Sequence, residues 1–174
     1  MTGSRRTGDT RPGPAGLLSE GARPAAGRDL DRMAGLCRQA MAELAGVRGG
    51  DLHRLKVTPP RAVEEELAAA LADPARTAWV GTIDSEVVGY GLGRRAVLPD
   101  GAALGVVDAI YVEPAARGVG VGEAIMEAMN GWFHAQGCRG VDAVALPGDR
   151  ATKAFWEASG FKARLIVMHR PMAR

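Results

Sequence analysis

The stretch Arg117-Gly118-Val119-Gly120-Val121-Gly122 constrains this 174-residue chain more than any other. Ahead of it, residues 104–112 form an apolar, β-rich run, bounded by a turn at Glu113-Pro114. Behind it, Val121, Ile125, Ala128, Met129 and Trp132 recur at helical spacing. A strand, a glycine-rich turn and a helix in that order make a socket for a phosphate. Glycines remove side chains so that several backbone N–H groups converge on one anion, and the helix N-terminus adds partial positive charge. The plainer reading is a tight strand-to-helix turn that holds no ligand.

Two nucleotide readings fail on spacing. The chain has no Gly-Lys-Ser/Thr ending for a Walker loop. A dinucleotide fingerprint needs Gly-x-Gly-x-x-Gly, but Gly118 and Gly120 lead to Glu123, and Gly120 and Gly122 lead to Ile125. What remains is Arg-x-x-Gly-x-Gly, carried by Arg117, Gly120 and Gly122.

Composition narrows the rest. At 18.2 kDa the chain is long enough for one domain with a real core and too short for two of ordinary size. It carries 22 basic and 20 acidic residues, and residues 1–28 hold five arginines against Asp9 and Glu20. The body is therefore near neutral, which argues against a nucleic-acid footprint. Cys37 and Cys138 lie in unrelated contexts and are expected as free thiols in a reducing compartment. His53, His134 and His169 are isolated, so no metal site is expected. No run of 18 apolar residues marks a membrane span, and no apolar segment follows Arg5-Arg6 as a signal would require. The expected location is the cytoplasm.

Residues 1–22, rich in Gly, Pro and Arg, are expected as a disordered tail, with one domain over 23–174. From Asp29 the pattern is helical up to Gly46, with Leu30, Met33, Cys37, Ala40, Met41 and Leu44 on one face. A loop is expected from Val47 to Val57, then a helix opened by Thr58-Pro59-Pro60 with Glu64, Glu65 and Glu66 toward solvent. Strands follow at 77–83 and 86–97 around a turn at Asp84-Ser85. In the second, Gly89, Gly91 and Gly93 strip one face of side chains, so a helix or ligand is expected to pack close there. After strand 104–112 and helix 119–136 come a strand at 139–146, a helix capped by Asp149 and ended by Gly160, and a last strand at 161–169. This order gives an α/β (α+β) fold, a mixed and mostly antiparallel sheet flanked by helices, with no alternating βαβ array.

The loop motif, with Ile110-Tyr111-Val112-Glu113-Pro114 before it, resembles the acetyl-coenzyme A pyrophosphate loop of the GCN5-related N-acetyltransferases. The element order over 23–174 matches that family's fold. The resemblance implies an acetyl-coenzyme A cosubstrate, no metal, and direct attack on the thioester by an amine of a small-molecule or peptidyl acceptor. It implies main-chain roles for Ile110, Tyr111 and Val112 along the pantetheine arm, with the Val112 N–H toward the thioester oxygen. It gives the amides of Arg117, Gly118, Val119, Gly120, Val121 and Gly122 to the pyrophosphate. The sequence leaves the oligomeric state open, a homodimer included.

Asp108 is the one carboxylate inside strand 104–112, and alternation sets it in a row with Leu104, Val106, Ile110 and Val112. The family often has an acidic residue there, acting as base directly or through water. Pairing with a backbone N–H or an arginine of a neighbouring strand would also account for Asp108. Residues 149–161 resemble the family's closing segment, with two departures: Asp149 stands for an asparagine and Trp156 for a tyrosine that protonates the departing thiolate. An indole N–H cannot serve as a general acid. Trp156 is therefore expected to slow the enzyme, and Trp156→Tyr to quicken it. Ser159 and Tyr111 are substitutes to consider. Lys153 and Arg150 could meet the cofactor's outer phosphate, or simply face solvent. An acetyl-coenzyme A-binding module with weak or no turnover is the alternative.

Overall fold

The computed structural model describes residues 19–57 and 62–172. Among them five strands form one sheet in the order β1-β2-β3-β4-β5. They are β1 (Glu20–Pro24), β2 (Arg76–Ile83), β3 (Glu86–Val97), β4 (Ala103–Val112) and β5 (Cys138–Asp142). The first four are antiparallel neighbours, while β5 runs parallel to β4. That change of direction needs a crossover, which is the helix α4 (Val121–Ala135). Helices α1 (Leu30–Ala45), α2 (Gly50–Val57) and α3 (Val63–Ala72) precede the main meander, and α5 (Arg150–Ala158) follows β5. No helix of the described residues is long and apolar enough to cross a membrane.

The sheet is buried on two faces by different helices. Met33, Leu36 and Cys37 of α1 and Leu67 of α3 pack on Val80, Tyr90 and Tyr111. On the other face, Val121, Ile125, Met126, Met129 and Phe133 of α4 are all at most 2% exposed. Burying each such side chain contributes about 1.5–3 kcal/mol. The helix sits this close because the strand glycines give it room. A Cβ on Gly91 would lie 2.5 Å from Ile125 Cγ2, and one on Gly93 would lie 2.8 Å from Phe133 Cζ. The close neighbour expected from the alternating glycines is this helix.

Several expectations need correction. Residues 20–22, expected in the tail, belong to β1, where Glu20, Gly21 and Ala22 pair with Ile83, Thr82 and Gly81. Arg23 of the same strand forks onto the buried Asp29 at 2.7 and 2.8 Å, and Ala26 donates its N–H to that carboxylate at 2.8 Å. Asp29 thus ties β1 to the start of α1 rather than capping the helix with its side chain. The loop expected over 47–57 contains α2. The proline opening at Thr58-Pro59-Pro60 lies outside the described residues. The hairpin stands, with φ of +48° at Asp84 and +75° at Ser85, the pair of left-handed residues a type I′ turn needs. The strand expected over 139–146 stops at Asp142.

The strand expected over 161–169 does not form. Phe161 packs against Trp156 with ring centroids 5.0 Å apart, and Arg164 forks onto Asp142. Beyond that anchor, Leu165, Ile166, Val167 and Met168 are 74–88% exposed. Their apolar run has strand propensity but no pairing partner among the described residues, and propensity alone does not hold a strand.

Candidate active site

The site starts where two neighbouring strands part. β5 pairs with β4 only at Ala103, Gly105 and Val106, then ends at Asp142. From Val107 to Val112, β4 has no strand partner but β3 among the described residues. Glu113 donates its N–H to the Val88 carbonyl at 3.0 Å. Residues of an antiparallel ladder alternate in the side they face. Tyr111 therefore bonds toward β3, while Ile110 presents its N–H and C=O, and Val112 its N–H, at the open edge; the Val112 carbonyl is taken by Arg117. An extended ligand can add there as a strand would.

The open edge leads into the glycine loop. After the turn at Pro114–Ala116, Gly118 and Gly120 adopt φ of +80° and +99°. Gly120 is the residue before α4, and its carbonyl accepts the first helical bond, from Ala124 N–H at 2.9 Å. The N–H groups of Val121, Gly122 and Glu123 precede that bond and have no partner within the helix. They open onto the same turn, with the positive end of the helix behind them. Gly122 receives Phe155 of α5, whose ring would lie 3.2 Å from a Cβ there. The chain from Ile110 to Gly122 thus runs from an open strand edge to the unbonded amides at the start of α4. A pantetheine arm joined to a pyrophosphate has the matching shape: amides along a chain, then a doubly charged group.

Arg117 behaves differently from the loop around it. Its Nε donates to the Val112 carbonyl at 2.8 Å and its Nη2 to Glu43 Oε2 at 2.8 Å. Its guanidinium lies 5.3 Å from the Tyr111 ring centroid, within cation–π range. The Tyr111 hydroxyl donates to the other oxygen, Glu43 Oε1, at 2.6 Å. Burial opposes ionisation of Glu43, but the Tyr111 hydroxyl and the Arg117 guanidinium outweigh it and hold its carboxyl below the ordinary value. Burial and the Glu43 charge push the Tyr111 phenol up to about 12. At neutral pH that phenol is protonated and its O–H is committed to Glu43. Glu43 and Tyr111 also line an open groove of about 470 Å³ with Gln39, Glu113 and Pro114. Glu43 carries no sequence signal, because its partners lie 68 and 74 residues away.

Asp108 is placed otherwise than alternation suggests. The register between β3 and β4 shifts at Leu92 and Gly93, whose partners are Ala109 and Val107, so Asp108 is the extra residue of a bulge. The bulge breaks the row of Leu104, Val106, Ile110 and Val112. Val107, Ile110 and Val112 pack with α4, whereas Ala109 and Tyr111 pack with α1. The Asp108 carboxylate is a quarter exposed and paired with Arg94 of the neighbouring strand.

The remaining candidates lie on α5. Asp149 caps that helix, accepting from the Thr152 N–H at 2.9 Å and the Thr152 hydroxyl at 2.5 Å. Gly148 lies against Val47 and Arg48, so the segment after β5 reaches the α1 side, where the Asp149 charge opposes that of Glu43. Lys153 pairs with Glu157 one turn on. Trp156 points into the core beneath α4, and its indole N–H donates to the Val144 carbonyl at 3.2 Å.

No curated sequence matches the chain. Among solved structures, it is similar to the aminoglycoside N-acetyltransferase AAC(6')-Iy in complex with CoA, at 19% identity and TM-score 0.70, over 92% of this chain and 99% of that one. It is also similar to a ribosomal-protein-alanine N-acetyltransferase from Brucella melitensis biovar Abortus 2308, at 20% identity and TM-score 0.63, over 88% and 100% of the two chains. A third is an aminoglycoside acetyltransferase from an uncultured soil metagenomic sample in complex with sisomicin, at 18% identity and TM-score 0.66, over 89% and 96%. Likeness at that identity speaks for the fold. The family model for "Acetyltransferase (GNAT) family" matches residues 50–161, which takes in the open edge of β4, the glycine loop and α5. With its motif and its architecture in agreement over that span, the chain belongs to the acetyltransferase (GNAT) family.

Proposed function

We propose that this acetyl-coenzyme A-dependent N-acetyltransferase passes the acetyl group directly to an amine of a small-molecule or peptidyl acceptor, with no acyl-enzyme between. The observation that carries the reading is the outward-facing backbone of Ile110 and Val112 running into the left-handed Gly120 at the start of α4. Acetyl-coenzyme A supplies the activated acyl group as a thioester. The chain's own part is to orient it. The edge of β4 holds the arm in an extended form, the Val112 N–H polarises the thioester carbonyl, and the amides of residues 117–122 take the pyrophosphate.

The attacking ammonium must lose a proton. Asp108 is the residue we assign to that step, directly or through a water molecule, with Arg94 orienting the carboxylate between turnovers. Departure of the thiolate needs no dedicated acid, since a thiol pKa of about 8.5 makes it a tolerable leaving group that solvent can protonate. On α5 we assign Lys153 to the cofactor's outer phosphate, and to Asp149 and Trp156 the indirect role of holding α5 against the loop through Phe155.

Similar proteins name both an aminoglycoside and a ribosomal-protein alanine as acceptors, so the fold serves small and peptidyl amines alike. The free thiols Cys37 and Cys138, and the need for acetyl-coenzyme A, support a cytoplasmic location. A binding module with little turnover is a second reading, favoured by the enclosed Trp156. Incubation with acetyl-coenzyme A and an amine panel, following both thiol release and acetylated product, separates the two.

A further inference from the structure

We propose that Glu43 is a positioning residue for the donor site: it locks Arg117 and Tyr111 so that the open edge of β4 and the glycine loop meet one ligand in fixed relation. The proposal rests on the acetyl-coenzyme A reading above. It concerns a residue of α1 that lies outside the loop motif and outside the residues matched to the family model.

Three contacts carry it. Glu43 spends one carboxylate oxygen on the Tyr111 hydroxyl, at 2.6 Å, and the other on Arg117 Nη2, at 2.8 Å. Arg117 in turn closes on the Val112 carbonyl through Nε at 2.8 Å. The residue that opens the glycine loop is thereby clasped to the last residue of β4, with Glu43 setting the angle of the clasp. The Tyr111 ring under the guanidinium adds a third side. In this arrangement the Arg117 side chain points back along β4 and leaves the backbone amides of the loop as the anion donors.

The physical effect is preorganisation. A ligand that spans a strand edge and a phosphate socket binds well only if the two halves keep their spacing. An arginine left free would lose rotamer freedom when it ordered on binding. Here that cost is met in the free protein, so affinity need not supply it. An isolated pair with side chains 45% and 48% exposed would contribute little. Two carboxylate oxygens, a phenol, a guanidinium and a main-chain carbonyl form a network, and a network holds geometry better than a pair. Because Glu43 also faces the groove beside α1, an acceptor resting there touches the same clasp that fixes the donor loop.

The test is calorimetric titration of coenzyme A into the full chain and its Glu43→Gln, Arg117→Ala and doubly substituted forms, each checked by a cooperative thermal melt. The Glu43→Gln change keeps the size of the side chain and removes the charge that holds both partners. It is expected to weaken coenzyme A about fivefold, the worth of a modest ion-pair network. The double form is expected to bind no more weakly than Arg117→Ala alone, because Glu43 acts through Arg117. A purely structural role would lower the melting temperature and leave affinity untouched. Unchanged affinity in Glu43→Gln, or additive losses in the double form, overturns the clasp while the donor reading stands. A wild-type chain that binds no coenzyme A at millimolar concentration overturns the donor reading and the clasp with it.

Discussion

The indole N–H of Trp156 donates to the Val144 carbonyl at 3.2 Å, across the gap between α5 and the segment leaving β5. The ring is enclosed between Phe155 and Phe161, with centroids 5.0 Å away on each side. Trp156 is therefore a packing residue that fixes where the chain runs after β5. Trp156→Tyr is expected to destabilise the fold by about 2 kcal/mol, through lost volume and a lost bond. It is expected to leave turnover no higher at any pH, against the expectation from the motif alone. Urea denaturation and a pH–rate series check both halves. A turnover gain that faded above about pH 8.5, the ordinary thiol pKa, would show that a phenol at this position reaches the leaving sulfur.

Gly120 is held by its backbone angle rather than by crowding. Its φ is +99°, and the nearest atom to a Cβ there is the flexible Glu20 side chain at 3.3 Å. A β-branched residue at that angle forces the turn to change shape. Gly120→Val is expected to keep a cooperative melt while weakening coenzyme A at least tenfold, read by calorimetry, because the amides of Val121 and Gly122 no longer converge.

Asp108 has an exposed route to solvent and, among the described residues, one ionic partner, Arg94. Asp108→Asn is expected to lower turnover by about 10²–10⁴, the usual worth of a general base, with coenzyme A affinity unchanged. Equal turnover in the variant would reduce Asp108 to the ion pair seen with Arg94.

The Arg23–Asp29 pair makes a pH-dependent contribution to stability. The Arg23 guanidinium, helped by the Ala26 N–H, holds the Asp29 carboxyl below the usual carboxylate range. A depressed folded value means that the contribution is complete above the unfolded pKa of about 3.9 and fades as pH falls through the folded one. Asp29→Asn is expected to cost about 2 kcal/mol at pH 7. That difference is expected to narrow below about pH 3.9, as shown by urea melts at stepped pH.

How far the sequence reveals this molecule varies by residue. The glycine loop and the packing of α4 on Gly91 and Gly93 are legible because both depend on local pattern: a strand, a turn and a helix in order, and glycines on one face. β1 is not legible, since Glu20–Pro24 is a five-residue edge strand with a proline and a glycine and no apolar alternation. Alternation sets Asp108 in a row that the bulge dissolves, and a bulge is set by register with β3, which no single strand encodes. Leu165–Met168 has strand composition, yet a strand is made by its neighbour. Glu43 is invisible for the same reason, because its meaning lies in Tyr111 and Arg117.

The most direct measurement of the central claim uses acetyl-coenzyme A labelled in the acetyl carbon, the full chain and a panel of aminoglycoside and peptidyl amines. The label is expected to appear on an amine in step with release of free coenzyme A thiol, and acid-quenched protein is expected to carry none, as direct attack requires. Label retained on the protein would contradict direct transfer. A folded chain that binds coenzyme A and labels no amine would contradict the transferase itself.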